Sequence, residues 1–233
     1  MYLFLHGLIG SSGHWTSVVR LMPKTECCVC DAFTDYLHHD VNDVADFYRP
    51  MLAAARRRGE PVTVVGNSLG CVTGLHLLDV ADAVVLTAPP FDFDQSAIPL
   101  AKGALDAYVR ALLAKGASIE NQDALVGHAC SMIEALMASR QGLRRIRSLK
   151  RQAQSFVTSG LLAEAGTRAT VMIGAEDFTT PLPEFKEFLR RAAPQARLRV
   201  LPECGHAVPL EKSDEVAAVL QSVRSAKMLD AVS

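Results

Sequence analysis

Val62-Thr-Val-Val-Gly66-Asn-Ser68-Leu-Gly70 joins a short apolar run directly to the pattern G-x-S-x-G. Glycines two residues before and after Ser68 allow a tight turn between a buried strand and a helix. Such a turn presents the Ser68 hydroxyl at the edge of a sheet. A hydroxyl is a weak nucleophile at neutral pH, so the turn has chemical meaning only if a base lies near it. Without such a partner it would be an ordinary Gly-Ser turn.

The chain offers an acid and a base, each in a loop that follows an apolar run. Asp177 lies in the first of these loops and His206 in the second. Because parallel strands end at the same edge of a sheet, we expect Ser68, Asp177 and His206 to meet there although they lie far apart in sequence. A serine, an acid and a histidine brought together are typical of nucleophilic catalysis. Glu176, directly before Asp177, is an alternative acid.

Short apolar runs alternate with longer amphipathic segments along most of the chain. This rhythm is typical of βαβ units, and it predicts an α/β fold with a mainly parallel sheet of about six strands. The predicted strands are 2–5, 27–31, 62–65, 83–87, 170–173 and 197–201. The predicted helices lie near 14–22, 41–58, 69–79, 184–193 and 212–226.

The alternation stops between residues 91 and 165, where no strand pattern occurs and Ala, Leu, Lys and Arg are frequent. We predict a helical insertion there, a cap of roughly 75 residues. Open α/β sheets bind their ligands at the carboxyl ends of the strands, so a cap in this place would cover the ligand site. The remaining segments, 1–90 and 166–233, would form one core domain.

Composition limits the classes of function. The chain has 233 residues, with 24 Lys and Arg against 25 Asp and Glu, and a formal net charge of −1. This balance gives no electrostatic reason to expect binding to nucleic acid or to a membrane surface. No apolar run reaches the ~18 residues of a membrane span. The N-terminus lacks the marks of an export signal, so we expect a cytoplasmic location.

The six cysteines are expected to be free thiols, because their spacing forms no disulfide framework and the expected compartment is reducing. Cys27, Cys28 and Cys30 form a CCxC cluster, which suggests a metal site as one interpretation. Neighbouring strand residues point to opposite faces and no second ligand cluster lies nearby, so packing is the preferred interpretation. We expect neither a metal nor an organic cofactor.

In combination, these motifs resemble the α/β-hydrolase family. That family carries an HG dipeptide after an early strand, which His6-Gly7 matches here, and Trp15 belongs to the same stretch. The resemblance implies the α/β-hydrolase fold. It also implies an oxyanion hole formed by the backbone N–H groups of Leu8 and Leu69, and a contact of Trp15 with substrate.

The resemblance further implies a role for each member of the triad. The family pattern G-x-x-D-x-x-x-P fits Asp177 rather than Glu176. His206 would take the proton of Ser68 and return it to the leaving group, while Asp177 would fix the tautomer of the imidazole. His6 lies in the HG dipeptide and is expected to shape the oxyanion loop rather than to act as the base. The remaining histidines, His14 among them, lack this context and are expected at the surface or in the core.

The chain departs from the family pattern at three places. Its first strand already precedes the HG dipeptide, so the usual N-terminal hairpin is missing and the sheet should be shortened. The loop at 31–39 has no glycine, where relatives carry D-x-x-G-x-G-x-S. Cys71 stands where many relatives have a further glycine after the serine turn. The first two changes would alter the walls of the pocket and leave the triad intact.

A basic segment lies inside the predicted cap, at 140–151, with six basic residues and no acidic one. Four of its arginines recur at helical spacing and would form one stripe on a helix. These four, called the arginine stripe below, are Arg140, Arg144, Arg147 and Arg151. The stripe is either a solvated helix face or an anion-binding surface beside the pocket.

Capped members of the family suggest substrates. The chain resembles carrier-protein methyl-ester esterases of the pimeloyl type, which dock an acidic carrier protein on cap arginines. That resemblance implies a small-molecule acyl ester, linked to an acyl carrier protein or to CoA. The glycine-rich N-terminal loop also resembles the menaquinone-pathway synthases, lyases of the same fold, and G-N-S-x-G occurs in carbon–carbon hydrolases. An acyl thioesterase and a ligand receptor without turnover are further alternatives.

Overall fold

The computed structural model describes residues 1–8, 10–23, 26–30, 39–91, 102–115, 119 and 122–230. Within these ranges six strands form one sheet, and every neighbouring pair of strands is parallel. The strands are β1 (Tyr2–Leu5), β2 (Cys27–Val29), β3 (Thr63–Asn67), β4 (Ala83–Thr87), β5 (Ala169–Gly174) and β6 (Arg197–Leu201). Their order across the sheet is β2-β1-β3-β4-β5-β6. The predicted α/β class with a parallel sheet is confirmed.

Helices pack on both faces of this sheet. They are α1 (Thr16–Arg20), α2 (Val41–Arg57), α3 (Leu69–Leu75), α4 (Lys102–Ala111), α5 (Gln122–Met137), α6 (Arg140–Thr158), α7 (Leu161–Ala165), α8 (Leu182–Ala192), α9 (Val208–Glu211) and α10 (Ser213–Asp230). The predicted helix near 69–79 is shorter than expected, since turns replace it after Leu75. Strand β3 is longer than expected, because Gly66 and Asn67 still pair with β4.

Alternate side chains of the central strands enter two separate apolar clusters. Leu3 and Leu5 of β1 belong to the larger cluster, together with residues of α2 and α3. Tyr2 and Phe4 belong to the second cluster, with residues of α1 and α10. Successive strand residues point to opposite faces, and a parallel sheet buries both faces, so these strands need apolar residues at every position.

The predicted insertion at 91–165 contains helices and no strand in its described part. Helices α4 and α5 form a small apolar cluster of their own. In contrast, α6 and α7 contribute to the larger core cluster, for example through Leu149 and Phe156 of α6. Helix α6 is also bound to the start of α2, where Gln152 accepts the N–H of Val41 at 2.8 Å. The boundaries of a cap domain stay a prediction.

Several sequence predictions concern features other than the sheet. In the described part of the chain, no helix is both long and apolar enough to cross a membrane. All six cysteines lie in that part, and none of them forms a disulfide. Within the same ranges, no group of three or more His, Cys, Asp or Glu side chains could hold a metal ion. Most of the glycine-free loop, residues 31–38, lies outside the described residues.

Two glycines permit unusually close contacts between α3 and the sheet. A Cβ atom on Gly66 would lie 2.4 Å from the carbonyl oxygen of Gly70. A Cβ atom on Gly70 would lie 2.2 Å from the carbonyl oxygen of Leu5. Both distances are far below van der Waals contact, and both involve backbone atoms that cannot move independently. The G-x-S-x-G spacing therefore serves the packing of α3 on β1 and β3.

We predict that Gly70→Ala lowers the free energy of unfolding by at least about 2 kcal/mol, because the new methyl group overpacks backbone atoms. Gly127→Ala is the matched control, since nothing lies within 4 Å of a Cβ at this position in α5. It should raise the free energy of unfolding by about 0.5–1 kcal/mol through helix propensity. Urea denaturation followed by circular dichroism measures both. Equal effects of the two substitutions would contradict the packing argument.

Candidate active site

Ser68 occupies a strained turn between β3 and α3. Its φ of 50° and ψ of −119° are a backbone conformation that a residue with a side chain seldom adopts. Two backbone hydrogen bonds hold the turn: the Ser68 N–H donates to Thr87 O at 3.0 Å, and the Cys71 N–H donates to Ser68 O at 2.9 Å. Strain of this kind persists only where the surrounding structure enforces it, and here the contacts of Gly66 and Gly70 do so.

His206 and Asp177 form a hydrogen-bonded pair at the carboxyl ends of β5 and β6. His206 Nδ1 lies 2.8 Å from Asp177 Oδ2, and the side chain of Asp177 has no exposed surface. The neighbouring acid, Glu176, points elsewhere and accepts the Lys115 N–H at 3.1 Å. Of the two candidate acids, the structure therefore brings only Asp177 to the imidazole.

Thr179 completes this pair, and the sequence analysis missed it. Its hydroxyl donates to Asp177 Oδ1 at 2.7 Å, and its backbone N–H donates to the same oxygen at 2.9 Å. The Thr179 hydroxyl oxygen also lies 3.0 Å from His206 Nδ1. Nδ1 thus faces two oxygen atoms, which favours the tautomer with its hydrogen on Nδ1 and a free lone pair on Nε2. A hydroxyl two residues after an aspartate is a local turn signal that could have indicated Thr179.

The charges of the pair change both pKa values. Burial lowers the pKa of His206, but the negative charge of Asp177 and the hydrogen bond to it outweigh burial, so the pKa is raised. Burial raises the pKa of Asp177, but the charge of His206 and the hydrogen bonds from His206 and Thr179 lower it below its usual range. Asp177 therefore stays ionised at neutral pH, and His206 is a stronger base than an isolated histidine.

A cavity beneath α4 and α5 contains both Ser68 and His206. Most of its wall is apolar, and the larger apolar side chains are Leu8, Phe91, Val109, Leu112, Leu113, Ile119, Leu125, Val126, Ile133 and Leu210. The polar side chains in the wall, besides Ser68 and His206, are His14, Asn67, Tyr108, Gln122 and Thr179. The described lining residues include no lysine or arginine. Such a wall suits an uncharged, mainly apolar ligand.

Two N–H groups beside Ser68 are free to bind an anion. Leu8 lies in the cavity wall, and Leu69 is the first residue of α3, directly after Ser68. Among the described residues neither the Leu8 nor the Leu69 N–H has a hydrogen-bond acceptor, whereas the N–H groups of Ser68 and Cys71 do. Gly7 lets the Leu8 segment approach, since a Cβ there would lie 2.8 Å from Ser68 Cβ. Two such donors next to a hydroxyl can stabilise a developing oxyanion.

The positions of His14 and Trp15 both differ from the positions that we expected. Trp15 is fully buried in the second core cluster, with its ring centroid 5.2 Å from that of Phe4. This position corrects the expectation that Trp15 contacts substrate, because a buried side chain offers no surface to a ligand. His14, expected at the surface or in the core, lines the cavity instead. Both residues lie in a 3-10 turn, whose three residues per turn direct neighbouring side chains apart.

The His14 ring is an uncharged hydrogen-bond donor in the cavity wall. Its Nδ1 accepts the Ser11 N–H at 3.2 Å, so the hydrogen of the neutral ring is on Nε2. Burial, with the nearby imidazoles of His6 and His128, lowers the pKa of His14 to about 4. The ring therefore adds no charge to the cavity at neutral pH.

Two cysteines near the site are poor candidates for the nucleophile. Cys71 is fully buried, and burial raises the pKa of its thiol well above the usual value. Burial and the charge of Glu211 raise the pKa of Cys204 to about 12. The thiolate is the reactive form of cysteine, and neither residue forms it at neutral pH. Both side chains therefore serve in packing.

The arginine stripe lies on the solvent face of α6, and all four of its side chains are exposed. Leu149 and Ala153 on the opposite face are buried in the core. None of the described residues that line the cavity comes from α6, although α5, which packs against α6, supplies several. The structure therefore does not bring the stripe to Ser68.

Comparison with known proteins identifies the family. The model of the alpha/beta hydrolase family matches residues 2–219, so the chain belongs to this family. This match, with the six parallel strands, confirms the predicted α/β-hydrolase fold. No curated protein matches the chain in sequence.

Several solved structures share the fold. An α/β-hydrolase enzyme from the metagenome of sediments of the Mar Chica lagoon, Morocco, is 20% identical, with a TM-score of 0.65 over 97% of this chain and 90% of that one. A serine hydrolase of Cycloclasticus zankles is 21% identical, with a TM-score of 0.67 over 94% and 87%. The 2-hydroxy-6-oxo-6-phenylhexa-2,4-dienoate hydrolase of Rhodococcus sp. strain RHA1 is 18% identical, with a TM-score of 0.67 over 95% and 89%. At these identities the likeness shows the fold alone.

We predict that Thr179→Val slows the reaction of Ser68 with a fluorophosphonate by about three- to tenfold, because Asp177 and His206 lose a shared hydrogen-bond partner. Thr179→Ser keeps the hydroxyl and should react at close to the wild-type rate. Stopped-time labelling followed by mass spectrometry measures both rates. A wild-type rate in Thr179→Val would contradict this role of the hydroxyl, because that substitution removes the hydroxyl and keeps a methyl group.

Proposed function

We propose that the protein is a serine hydrolase that cleaves a carboxylic ester through an acyl-enzyme on Ser68. The observation that carries the proposal is the cavity shared by Ser68 and His206, with Asp177 held 2.8 Å from the far nitrogen of the imidazole. Membership of the alpha/beta hydrolase family supports the type of reaction. The proposed triad is thus Ser68, Asp177 and His206.

In the proposed mechanism, His206 Nε2 takes the proton of Ser68 as the serine oxygen attacks the ester carbonyl. The N–H groups of Leu8 and Leu69 stabilise the oxyanion that forms, each by about 10²–10³ in rate. The imidazolium then gives its proton to the departing alcohol, and Asp177 stabilises the positive charge meanwhile. Water, activated by the same imidazole, attacks the acyl-enzyme and releases the acid.

The cavity wall supports a substrate with an uncharged, apolar acyl chain. Aliphatic side chains dominate the wall, and His14 supplies a neutral donor for an oxygen of the substrate. The lyase alternative requires cationic side chains that hold the carboxylates of the substrate. No arginine or lysine belongs to the described part of the wall, which favours ester hydrolysis over the lyase reaction. An acyl chain that ends in a methyl ester is neutral and meets this condition.

We propose further that the acyl group is presented by an acyl carrier protein or CoA, and that the arginine stripe binds its phosphate or acidic side chains. The support is electrostatic. None of the four arginines forms an ion pair or hydrogen bond within the described ranges, whereas Arg145 on the same helix contacts Asp40. Exposed arginines without an ion pair favour anionic partners. The same triad would cleave the thioester of such a carrier, so a thioesterase is the second candidate.

A fluorophosphonate probe tests the proposed function. Wild-type protein should be labelled on Ser68, and Ser68→Ala should not be labelled, because only an activated serine reacts with the probe. Circular dichroism shows that both proteins are folded. A folded wild type that resists labelling and turns over no ester would favour a ligand receptor. If the wild type is labelled, burst kinetics with p-nitrophenyl butyrate and with butyryl-CoA distinguish an esterase from a thioesterase.

Charge reversal tests the arginine stripe. We expect Arg144→Glu with Arg147→Glu to raise KM for a carrier-linked ester by about tenfold, and to leave KM for p-nitrophenyl butyrate unchanged. The matched control is Arg197→Glu with Arg199→Glu, a double reversal at two exposed positions of β6. It should change neither value. Equal losses with both substrates would exclude docking and indicate a disturbed cap.

A further inference from the structure

Glu211 of α9 binds three backbone N–H groups. Its Oε2 accepts the N–H of Gly205 at 2.9 Å and that of Ala114 at 2.8 Å. Its Oε1 accepts the N–H of Ala207 at 3.1 Å. Gly205 and Ala207 are the residues on either side of His206, and Ala114 follows the end of α4. One carboxylate therefore joins the loop of the proposed base to the first helix of the predicted cap.

His206 itself is bound to the same part of the chain. Its backbone N–H donates to the carbonyl oxygen of Leu112 at 2.6 Å. A Cβ on Gly205 would lie 2.6 Å from Ala114 N and from Leu112 O, so only glycine allows this approach. All three consecutive N–H groups from Gly205 to Ala207 are thus committed to Glu211 or to Leu112, which also lines the cavity.

The loop of the proposed acid contacts this segment as well. Glu176, next to Asp177, accepts the N–H of Lys115 at 3.1 Å. Two carboxylates, Glu176 and Glu211, consequently hold the segment 112–115 against both loops of the acid–base pair.

We infer that Glu211 is a positioning residue for His206. Its carboxylate fixes the backbone on both sides of the base and holds the segment after α4 against it. This inference rests on the proposed function, in which His206 is the base. Glu211 touches neither the substrate nor the reacting atoms, and it acts through the backbone on either side of His206. A carboxylate suits this task because three N–H groups converge on its two oxygens, and an amide offers only one acceptor oxygen.

Glu211 has a second, electrostatic effect on the base. Titratable groups around His206 are Asp177 on the loop after β5, Glu211 on α9 and His14 on the 3-10 turn. The charge of Glu211, like that of Asp177, raises the pKa of His206. Removal of the Glu211 charge should therefore move the acidic limb of the kcat/KM profile to lower pH, since His206 would lose its proton more easily.

The experiment compares Glu211→Gln, Glu211→Asp and wild type, with Glu215→Gln on the exposed side of α10 as the matched control. The substrate is p-nitrophenyl butyrate. We expect Glu211→Gln to lower kcat about tenfold with KM within about twofold, since a misplaced base slows chemistry more than it weakens binding. The acidic limb should move to lower pH. Glu211→Asp keeps the charge and shortens the side chain, so kcat should fall while the limb stays in place.

Four outcomes of this experiment would contradict the positioning role of Glu211 or the proposed function. A folded Glu211→Gln variant with the kcat and pH profile of Glu215→Gln overturns the inference. If Glu211→Gln does not fold, Glu211→Asp alone decides it, and a wild-type kcat in that variant overturns it. Failure of both variants to fold assigns Glu211 a purely structural role and also overturns it. A wild type that neither hydrolyses the ester nor reacts with a fluorophosphonate contradicts the proposed function itself, which separates the two failures.

Discussion

The close approach of the main chain of Gly70 to that of Leu5 is the contact on which the site depends. Because no side chain separates these segments, α3 packs directly on the ends of β1 and β3. Ser68 lies between them and is held in its strained conformation. The two free N–H groups come from the same segments, Leu8 after β1 and Leu69 at the start of α3. One steric condition thus sets the positions of the hydroxyl and of both free N–H groups.

Charge and apolar surface are separated around the site. The carboxylates of Asp177, Glu176 and Glu211 lie behind or beside His206 and are satisfied by hydrogen bonds. The described wall of the cavity in front of it carries no charged side chain other than the imidazole when protonated. Electrostatic interactions strengthen in such a low-dielectric space, so the Asp177 charge acts on the imidazole with little screening. Under the proposed function, the same wall favours an uncharged acyl group.

Features that depend on short stretches of sequence were predictable. The glycines around Ser68 and the apolar runs of the strands have local causes, and they led to the six parallel strands and to the family. The site details that sequence reasoning missed depend on distant contacts or on irregular backbone. Glu211 accepts a hydrogen bond from the backbone N–H of Ala114, which lies 97 residues earlier in the chain. No sequence signal near Glu211 indicates this contact. His14 and Trp15 differ by one residue, and only the 3-10 turn decides which one reaches the cavity.

The hydrogen bonds between residues 112–115 and the loops of the proposed acid and base bear on how a hydrolase of this kind can evolve. A change of substrate range usually proceeds through substitutions in the elements that surround the pocket. Here the segment that follows α4 is hydrogen-bonded to Glu176, His206 and Glu211, so changes in its backbone would also disturb the proposed base. Helix α5 lines the same cavity and has no such bond to these loops among the described residues. Under the proposed function, substitutions in α5 can therefore change the specificity while they leave the acid–base pair in place.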